Sequence, residues 1–142
     1  MSVKRILDDK GGDVETSSAE TSVHEIAKVL ADRKIGAVVI LDGSQIAGIL
    51  SERDIVRAVA RDGNAALEKP ARAYMTEKVV TCALSETNDD VMHKMTDGRF
   101  RHLPVVDNDQ LIGIVSIGDV VKRRIAEVER EASEMRNYIA MA

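Results

Sequence analysis

The chain has 142 residues, a net charge of −4 and 2 % aromatic residues. This length suits one domain built from two halves, and an acidic chain with so few aromatic side chains is poorly suited to bind DNA or single-stranded nucleic acid. Its longest apolar run is too short to cross a membrane. The single cysteine, Cys82, excludes an internal disulfide and a thiolate metal site and favours a cytoplasmic location.

The first half of the sequence alternates helical and strand patterns. A short helix is predicted within the first dozen residues, then a short strand at 14–16, then a helix whose capping-box pattern begins at Ser22. Two strands rich in Val and Ile, at 37–41 and 46–50, are separated by DGSQ, which is typical of a hairpin. A further helix begins at Ser51. The order after the first helix is therefore β-α-β-β-α.

The same order of elements returns 65 residues later, the offset between Gln45 and Gln110. QIAGILSERDIV aligns there without a gap on QLIGIVSIGDVV, and such a register indicates an internal duplication. The second copy predicts a strand at 79–81, a capped helix from Thr87, strands at 102–106 and 111–115, and a helix from Ser116.

The duplication sets the expected domain organisation. We predict a first repeat with its N-terminal helix at 1–62, a linker at 63–76, a second repeat at 77–125 and a C-terminal helical extension at 126–142. One repeat alone has too little core to be stable. The two α/β repeats are therefore expected to pack sheet to sheet about a pseudo-two-fold axis.

The C-terminal segment carries a different apolar pattern. Its apolar residues are spaced by alternating steps of four and three, which is a heptad stripe on a long charged helix. The stripe either packs on the chain's own domain or forms the seam of a homodimer, and the sequence leaves both alternatives open. The residues of this stripe are Val121, Ile125, Val128, Ala132, Met135 and Ile139.

Each repeat ends in the motif G-h-h-S-x-x-D, where h is an apolar residue. With their flanking strands, VVILDGSQIAGILSERDIV at 38–56 and RHLPVVDNDQLIGIVSIGDVV at 101–121 resemble the CBS domain, named after cystathionine β-synthase. Two in tandem resemble a stand-alone Bateman module. The resemblance implies a regulatory sensor that binds an adenosine derivative between its repeats. AMP is the first candidate, ADP, ATP, NAD and S-adenosylmethionine are alternatives, and no metal is required.

The two motif carboxylates allow a structural and a functional interpretation. Ser51 with Asp54, and Ser116 with Asp119, have the spacing of a helix-capping box, although Asp reaches back less well than Glu. The resemblance implies instead that each Asp accepts hydrogen bonds from ribose hydroxyls, which a carboxylate does well. A helix start beside it suits a phosphate. One residue pair can serve both roles.

The resemblance also implies further ligand contacts, which differ between the repeats. Arg101 and His102 would face a phosphate in the second copy, whereas Gly36 and Ala37 take their places in the first. The first copy instead carries Arg53 where the second has Gly118, so the two sites are chemically unequal. The remaining candidates are Thr16 and Thr81 as hydroxyl donors and Val38, Ile49, Leu103 and Ile114 around the adenine.

The sequence bears on three function classes. The leading hypothesis is a nucleotide-binding module that signals ligand state to a separate regulated protein, and the alternative is a ligand-free dimerisation or interaction scaffold. The sequence shows no nucleophile–base pair, metal-ligand cluster or P-loop, so we do not expect an enzyme.

Overall fold

A computed structural model describes residues 2–141. These residues form a mixed α/β fold in which the first repeat has the predicted β-α-β-β-α order, whereas the second has the order α-β-β-α and closes with a long helix. Two short 3₁₀ helices, at Gly63–Glu68 and Ala71–Ala73, lie in the linker. The helices and strands are α1 (Val3–Lys10), β1 (Thr16–Ser18), α2 (Val23–Arg33), β2 (Ala37–Asp42), β3 (Gln45–Ser51), α3 (Glu52–Asp62), α4 (Asn88–Gly98), β4 (His102–Asp107), β5 (Gln110–Ser116) and α5 (Ile117–Met141).

The predicted helix starts are capped by the expected side chains. At α2 the backbone N–H of Glu25 donates to Ser22 Oγ at 3.2 Å. At α4 the box is complete, because Asp90 N–H donates to Thr87 Oγ1 and Thr87 N–H donates to an Asp90 carboxylate oxygen, each at 3.0 Å. Each cap satisfies a backbone donor that the first helical turn leaves free.

Both predicted hairpins form, but the second repeat lacks the predicted strand at 79–81. In the first repeat β1 runs parallel to β2, beginning at Thr16 rather than ending there, and Val39 N–H donates to Glu15 C=O at 3.1 Å. The matching residue in the second repeat is Pro104, which has no N–H to donate. The pairing there shrinks to one bridge between Cys82 and Val105.

Each repeat buries its own core, and each core is completed by a segment from outside the hairpin unit. The apolar face of α1 packs into the core of the second repeat with Val91, Leu103 and Val115. The linker residues Ala71, Tyr74 and Met75 join the core of the first repeat. The helix α1 contributes Val3, Ile6 and Leu7 to the second core. The linker packs on the core residues Ile26, Val38, Ile40 and Leu50 of the first repeat.

The end of the linker runs along the edge of β3 before it enters the second repeat. Ile49 and Thr76 exchange two backbone hydrogen bonds of 3.0 and 2.9 Å. This close approach requires Gly48, because a Cβ there would lie 2.8 Å from both Thr76 C=O and Met75 Sδ. The linker thereby brings the start of the second repeat beside the start of α3.

The C-terminal helix is continuous and extends beyond the domain. Its first half contacts α1 and α4, and Arg123 pairs with Asp9. From Val128 to Met141 every residue is exposed. Among the described residues, no helix combines the length and the apolar character needed to cross a membrane.

Candidate functional site

A cleft of about 340 Å³ lies where the two repeats meet. This volume falls within the usual range for small-molecule sites. Three segments form its walls: the junction of β3 and α3, the end of the linker with the residues that follow it, and the connection from α4 to β4. The lining residues are Ile49, 51–54 and Arg57 from the first segment, Thr76 and 78–80 from the second, and 98–102 from the third.

The cleft brings together six of the residues singled out from the sequence. Four of them come from the first repeat and two from the second, so a ligand here would touch both halves of the molecule. The six residues are Ile49, Ser51, Arg53, Asp54, Arg101 and His102.

Asp54 caps its helix and still keeps one carboxylate oxygen free. Ser51 N–H and Ser51 Oγ–H donate to Asp54 Oδ2 at 2.9 and 3.1 Å, and Asp54 N–H donates to Ser51 Oγ at 3.2 Å. Asp54 Oδ1 has no hydrogen-bond donor among residues 2–141. The capping box therefore holds the half-buried carboxylate in a fixed orientation, with an acceptor available to a ligand in the cleft.

Five basic side chains line the cleft without an acidic partner. No carboxylate within the part of the chain that the structure describes lies within salt-bridge distance of them. Glu52 and Asp54 are the acidic residues of the lining. The cleft therefore carries a positive charge surplus, which suits an anionic ligand. The basic residues are Arg53, Arg57, Lys78, Arg99 and Arg101.

Sequence reasoning missed three of these cations. Arg57 lies one helical turn after Arg53, so the i,i+4 spacing placed it on the same face of α3 and offered a usable signal. Lys78 and Arg99 carried no such signal, because their position depends on how the linker and the end of α4 approach the first repeat.

His102 adds an imidazole to the same wall. Burial lowers the pKa of His102 from its ordinary value of 6.5, and this effect outweighs the opposing attraction of Glu52. The imidazole is therefore neutral at neutral pH. An anion bound beside it would favour the protonated form.

The carboxylate of the second repeat lies in a different environment. Lys10, at the end of α1, donates to Asp119 Oδ2 at 2.7 Å and to Ile114 C=O at 2.9 Å. Burial alone would raise the pKa of Asp119, but the hydrogen bonds from Lys10 and from Ser116 N–H outweigh it and lower the pKa below 3.8. Asp119 is thus paired within the chain, whereas Asp54 is not.

The remaining sequence candidates do not line the Asp54 cleft. Thr16 is exposed at the start of β1, and Thr81 is half-buried, with its carbonyl accepting a bond from Lys94. Val38 and Leu103 are fully buried in the two cores. Ile114 is half-buried beside Lys10. Their ligand roles stay predictions.

Two other features concern metal and thiol chemistry. Residues 2–141 contain no group of three or more His, Cys, Asp or Glu side chains arranged to hold a metal ion. Burial raises the pKa of the Cys82 thiol to about 12, and nearby Glu86 adds to the shift. Cys82 therefore acts as a small packed side chain in the second core.

The chain is thus a tandem duplication of an α/β unit with a cleft where its two copies meet. A model of the CBS domain matches residues 4–61 and 71–126, so the chain belongs to the CBS domain family. A mitochondrial CBS domain-containing protein of Arabidopsis thaliana, CBSX3, is 31 % identical over 96 % of this chain and 71 % of its own length. The CBS-domain containing protein ATU1752 of Agrobacterium tumefaciens is 49 % identical, with a TM-score of 0.86 over 87 % of this chain and 99 % of that one.

Two further solved structures of this family contain adenosine compounds. The CBS domain pair of protein MJ0100, in complex with 5′-methylthioadenosine and S-adenosyl-L-methionine, is 29 % identical with a TM-score of 0.80 over 89 % of this chain and 98 % of that one. The CBS domain protein PAE2072 of Pyrobaculum aerophilum, complexed with AMP, is 26 % identical with a TM-score of 0.74 over 84 % of this chain and 89 % of that one.

Proposed function

We propose that this chain is a regulatory module that binds an adenine nucleotide in the Asp54 cleft. The observation that carries the proposal is the pairing, in one cleft, of a half-buried carboxylate with a free oxygen and five basic side chains without acidic partners. The adenosine compounds bound by MJ0100 and PAE2072 support the same ligand class.

Each lining group has a role in this proposal. Asp54 Oδ1 accepts hydrogen bonds from the ribose hydroxyls, because a carboxylate can serve two donors at once. The phosphate lies at the start of α3, where the positive end of the helix dipole and the basic side chains favour negative charge. The adenine packs against Ile49 and the apolar residues Val79 and Val80. The apolar and polar groups thus divide between the base and the rest of the nucleotide.

Regulation would follow from the position of the cleft between the repeats. A nucleotide that contacts both α3 and the α4–β4 connection favours the arrangement of the two halves that closes around it. We propose that a separate cytoplasmic protein responds to this shift, so that the module senses energy or metabolite state. No catalytic step is part of this proposal.

Calorimetric titration with AMP, ADP, ATP, NAD and S-adenosylmethionine tests the proposal. We expect Asp54→Asn to weaken binding about tenfold or more, because the ribose loses a charged acceptor. Asp90→Asn is the matched control: it changes the equivalent carboxylate of the α4 capping box outside the cleft, and it should bind as the parent protein does. If none of the five compounds binds at millimolar concentration, the proposal is wrong.

The alternative function is a scaffold that dimerises and docks on another protein without a ligand. The internal pairing of Lys10 with Asp119 favours it on the Asp119 side, because that carboxylate is already satisfied. A variant with both Asp54→Ala and Asp119→Ala separates the two functions. If the chain is a scaffold, the parent protein does not respond to nucleotide and the variant still binds the protein partner. If the chain is a sensor, the parent responds to nucleotide and the variant does not.

We also propose that the chain acts as a homodimer. The heptad stripe of α5 supports this, because its large apolar side chains are exposed on a helix that extends beyond the domain. Sedimentation of the full chain at several concentrations measures its oligomeric state directly.

A further inference from the structure

We propose that the Asp54 cleft selects nucleotides that carry two or more phosphates, and that the Asp119 side does not. This inference rests on the proposed nucleotide function. Five basic and two acidic side chains line the cleft, and His102 is neutral, so the lining has a surplus of three positive charges in a chain whose net charge is −4. A monophosphate carries too little charge to neutralise this surplus.

The two walls of the cleft divide the basic residues between them. Arg53 and Arg57 lie on α3 of the first repeat, whereas Lys78, Arg99 and Arg101 belong to the second. A chain of phosphates can accept charge-assisted hydrogen bonds from both walls at once, and each added phosphate gains further bonds of this kind. Nucleotides with longer phosphate chains should therefore bridge the two repeats more strongly.

The internal duplication provides a comparison within the same chain. At the offset of 65 residues, the counterparts of Arg53 and Arg101 are Gly118 and Gly36, and the counterpart of Lys78 is Asp13. Lysines remain only opposite Arg57 and Arg99, as Lys122 and Lys34. The charges of Lys34 and Lys122 are cancelled by those of Asp13 and Asp119, so the matching positions of the Asp119 side have no net charge. Asp119 itself is paired with Lys10. Polyphosphate binding should be confined to one cleft per chain.

Calorimetry with adenosine, AMP, ADP and ATP at low salt and without divalent cations tests the charge selection. We expect affinity to rise along this series, with ATP about tenfold or more tighter than AMP and a stoichiometry of one per chain. Arg57→Gln should reduce the difference between ATP and AMP. Lys122→Gln, which also removes one positive charge at the matching position of the second repeat, should leave this difference unaltered.

The outcomes separate this inference from the proposed function. Equal affinities for AMP and ATP overturn the phosphate selection and leave nucleotide binding intact, whereas a lack of binding by all four compounds overturns the proposed function. Inorganic tripolyphosphate is a further arm. If it binds as tightly as ATP, the phosphate selection is supported and the adenosine contacts are contradicted. Two ATP molecules per chain would overturn the confinement to one cleft.

A separate set of observations concerns α5 and deepens the homodimer proposal. We infer that the occupant of its apolar stripe is α5 of a second copy, aligned parallel and in register. The large apolar members of the stripe are 46–65 % exposed, and they continue along a helix segment whose residues are all exposed beyond Val128. A helix of that length is marginal alone in water and needs a partner.

The charges beside the stripe select the parallel orientation. Ile125, Ala132 and Ile139 of the stripe occupy heptad position a, and Val121, Val128 and Met135 occupy d. Arg124 and Glu131 therefore occupy g, whereas Glu129 and Arg136 occupy e. In a parallel pair each g residue meets the e residue five positions later in the second copy, which joins Arg124 to Glu129 and Glu131 to Arg136. The antiparallel alignment with full overlap instead places Glu131 beside Glu131 and Glu129 beside Glu129. Opposite charges therefore favour two copies running in the same direction.

Charge reversal and cross-linking test this geometry in the full chain. Glu131→Arg should weaken dimerisation by about tenfold or more, and adding Arg136→Glu should restore it, because the pair is exchanged rather than lost. Met135→Cys should form an intermolecular disulfide on oxidation, since equivalent d positions face each other only in a parallel dimer; the buried Cys82 does not compete. A monomeric chain, or a dimer indifferent to both changes, overturns the inference.

Discussion

Asp54 shows how one side chain can serve both the fold and a ligand. Its Oδ2 closes the capping box of α3, and its Oδ1 is left without a donor in the described chain. The motif spacing alone could not distinguish the two interpretations, because a capping box and a ribose contact require the same residue at the same place. Asp119 has the same cap but is paired with Lys10, so identical motifs produce unequal chemistry.

His102 provides a prediction for pH dependence at the scale of one residue. Burial lowers its pKa, and a bound phosphate favours the imidazolium, so binding takes up a proton. We expect the affinity for ATP to rise in the parent protein, relative to His102→Gln, as the pH falls from about 8 to about 6. Calorimetry across this range measures both proteins.

The comparison with His102→Gln also corrects the measured affinities for the titration of ATP itself. The terminal phosphate of ATP loses charge over the same range and weakens binding equally in both proteins. The quantity to compare is therefore the ratio of the two affinities at each pH. A ratio that stays constant would show that His102 does not face the phosphate.

The sequence was sufficient to predict the candidate residues of the first repeat but not the full set of cations. Arg53 and Asp54 belong to a duplicated motif, and the family resemblance implies Arg101 and His102. Lys78 became part of the lining only because the linker carries it past β3. Tertiary approach of this kind leaves no periodic signal in the sequence.

At the scale of elements, the pattern of apolar residues and caps predicted the hairpins and the helix starts, because these depend on neighbours in the chain. The absent strand at 79–81 depended instead on a residue in another element. Pro104 lacks the N–H that Val39 supplies in the first repeat, and a repeat alignment that scores apolar character does not register the lost donor.

Two equivalent glycines lead to a prediction about how the outer segments pack. A Cβ at Gly48 would lie 2.8 Å from the Thr76 carbonyl, whereas one at Gly113 would lie 2.8 Å from the end of the Leu7 side chain. The Thr76 carbonyl accepts from Ile49 N–H, and Thr76 N–H donates to Ile49 C=O, so this backbone cannot move as a leucine side chain can. We expect Gly48→Ala to cost about 1–3 kcal/mol of unfolding free energy and Gly113→Ala to cost less.

Urea unfolding of Gly48→Ala and Gly113→Ala measures which variant loses more unfolding free energy. Gly48→Ala should also weaken nucleotide binding, because Thr76 lines the cleft and must shift to accept the methyl group. Equal costs at the two positions, or a larger cost at Gly113, would mean that the linker is no more firmly seated on β3 than α1 is on β5.

At the scale of the whole molecule, the two repeats are interlocked by the path of the chain. The sequence groups α1 with the first repeat, yet its apolar face completes the core of the second, and the linker completes the core of the first. Backbone bonds from Val3 and Lys4 to Glu86 and Leu84 reinforce this exchange. The amphipathic pattern of α1 predicted which face is buried, but a pattern within one helix cannot specify which of two similar cores receives it.

This interlocking predicts that a change in α1 destabilises the entire protein rather than only its N-terminus. Ile6→Ala should lower the free energy of unfolding by about 2–5 kcal/mol, the usual cost of removing a large buried side chain. The loss should appear as faster hydrogen exchange at Val105 and Val115, which lie far away in sequence but in the same core. Arg5→Ala, on the exposed face of the same helix, should change stability by no more than about 0.5 kcal/mol. If Ile6→Ala leaves global stability and the exchange of β4 and β5 unchanged, α1 is an appendage and the two halves fold independently of it.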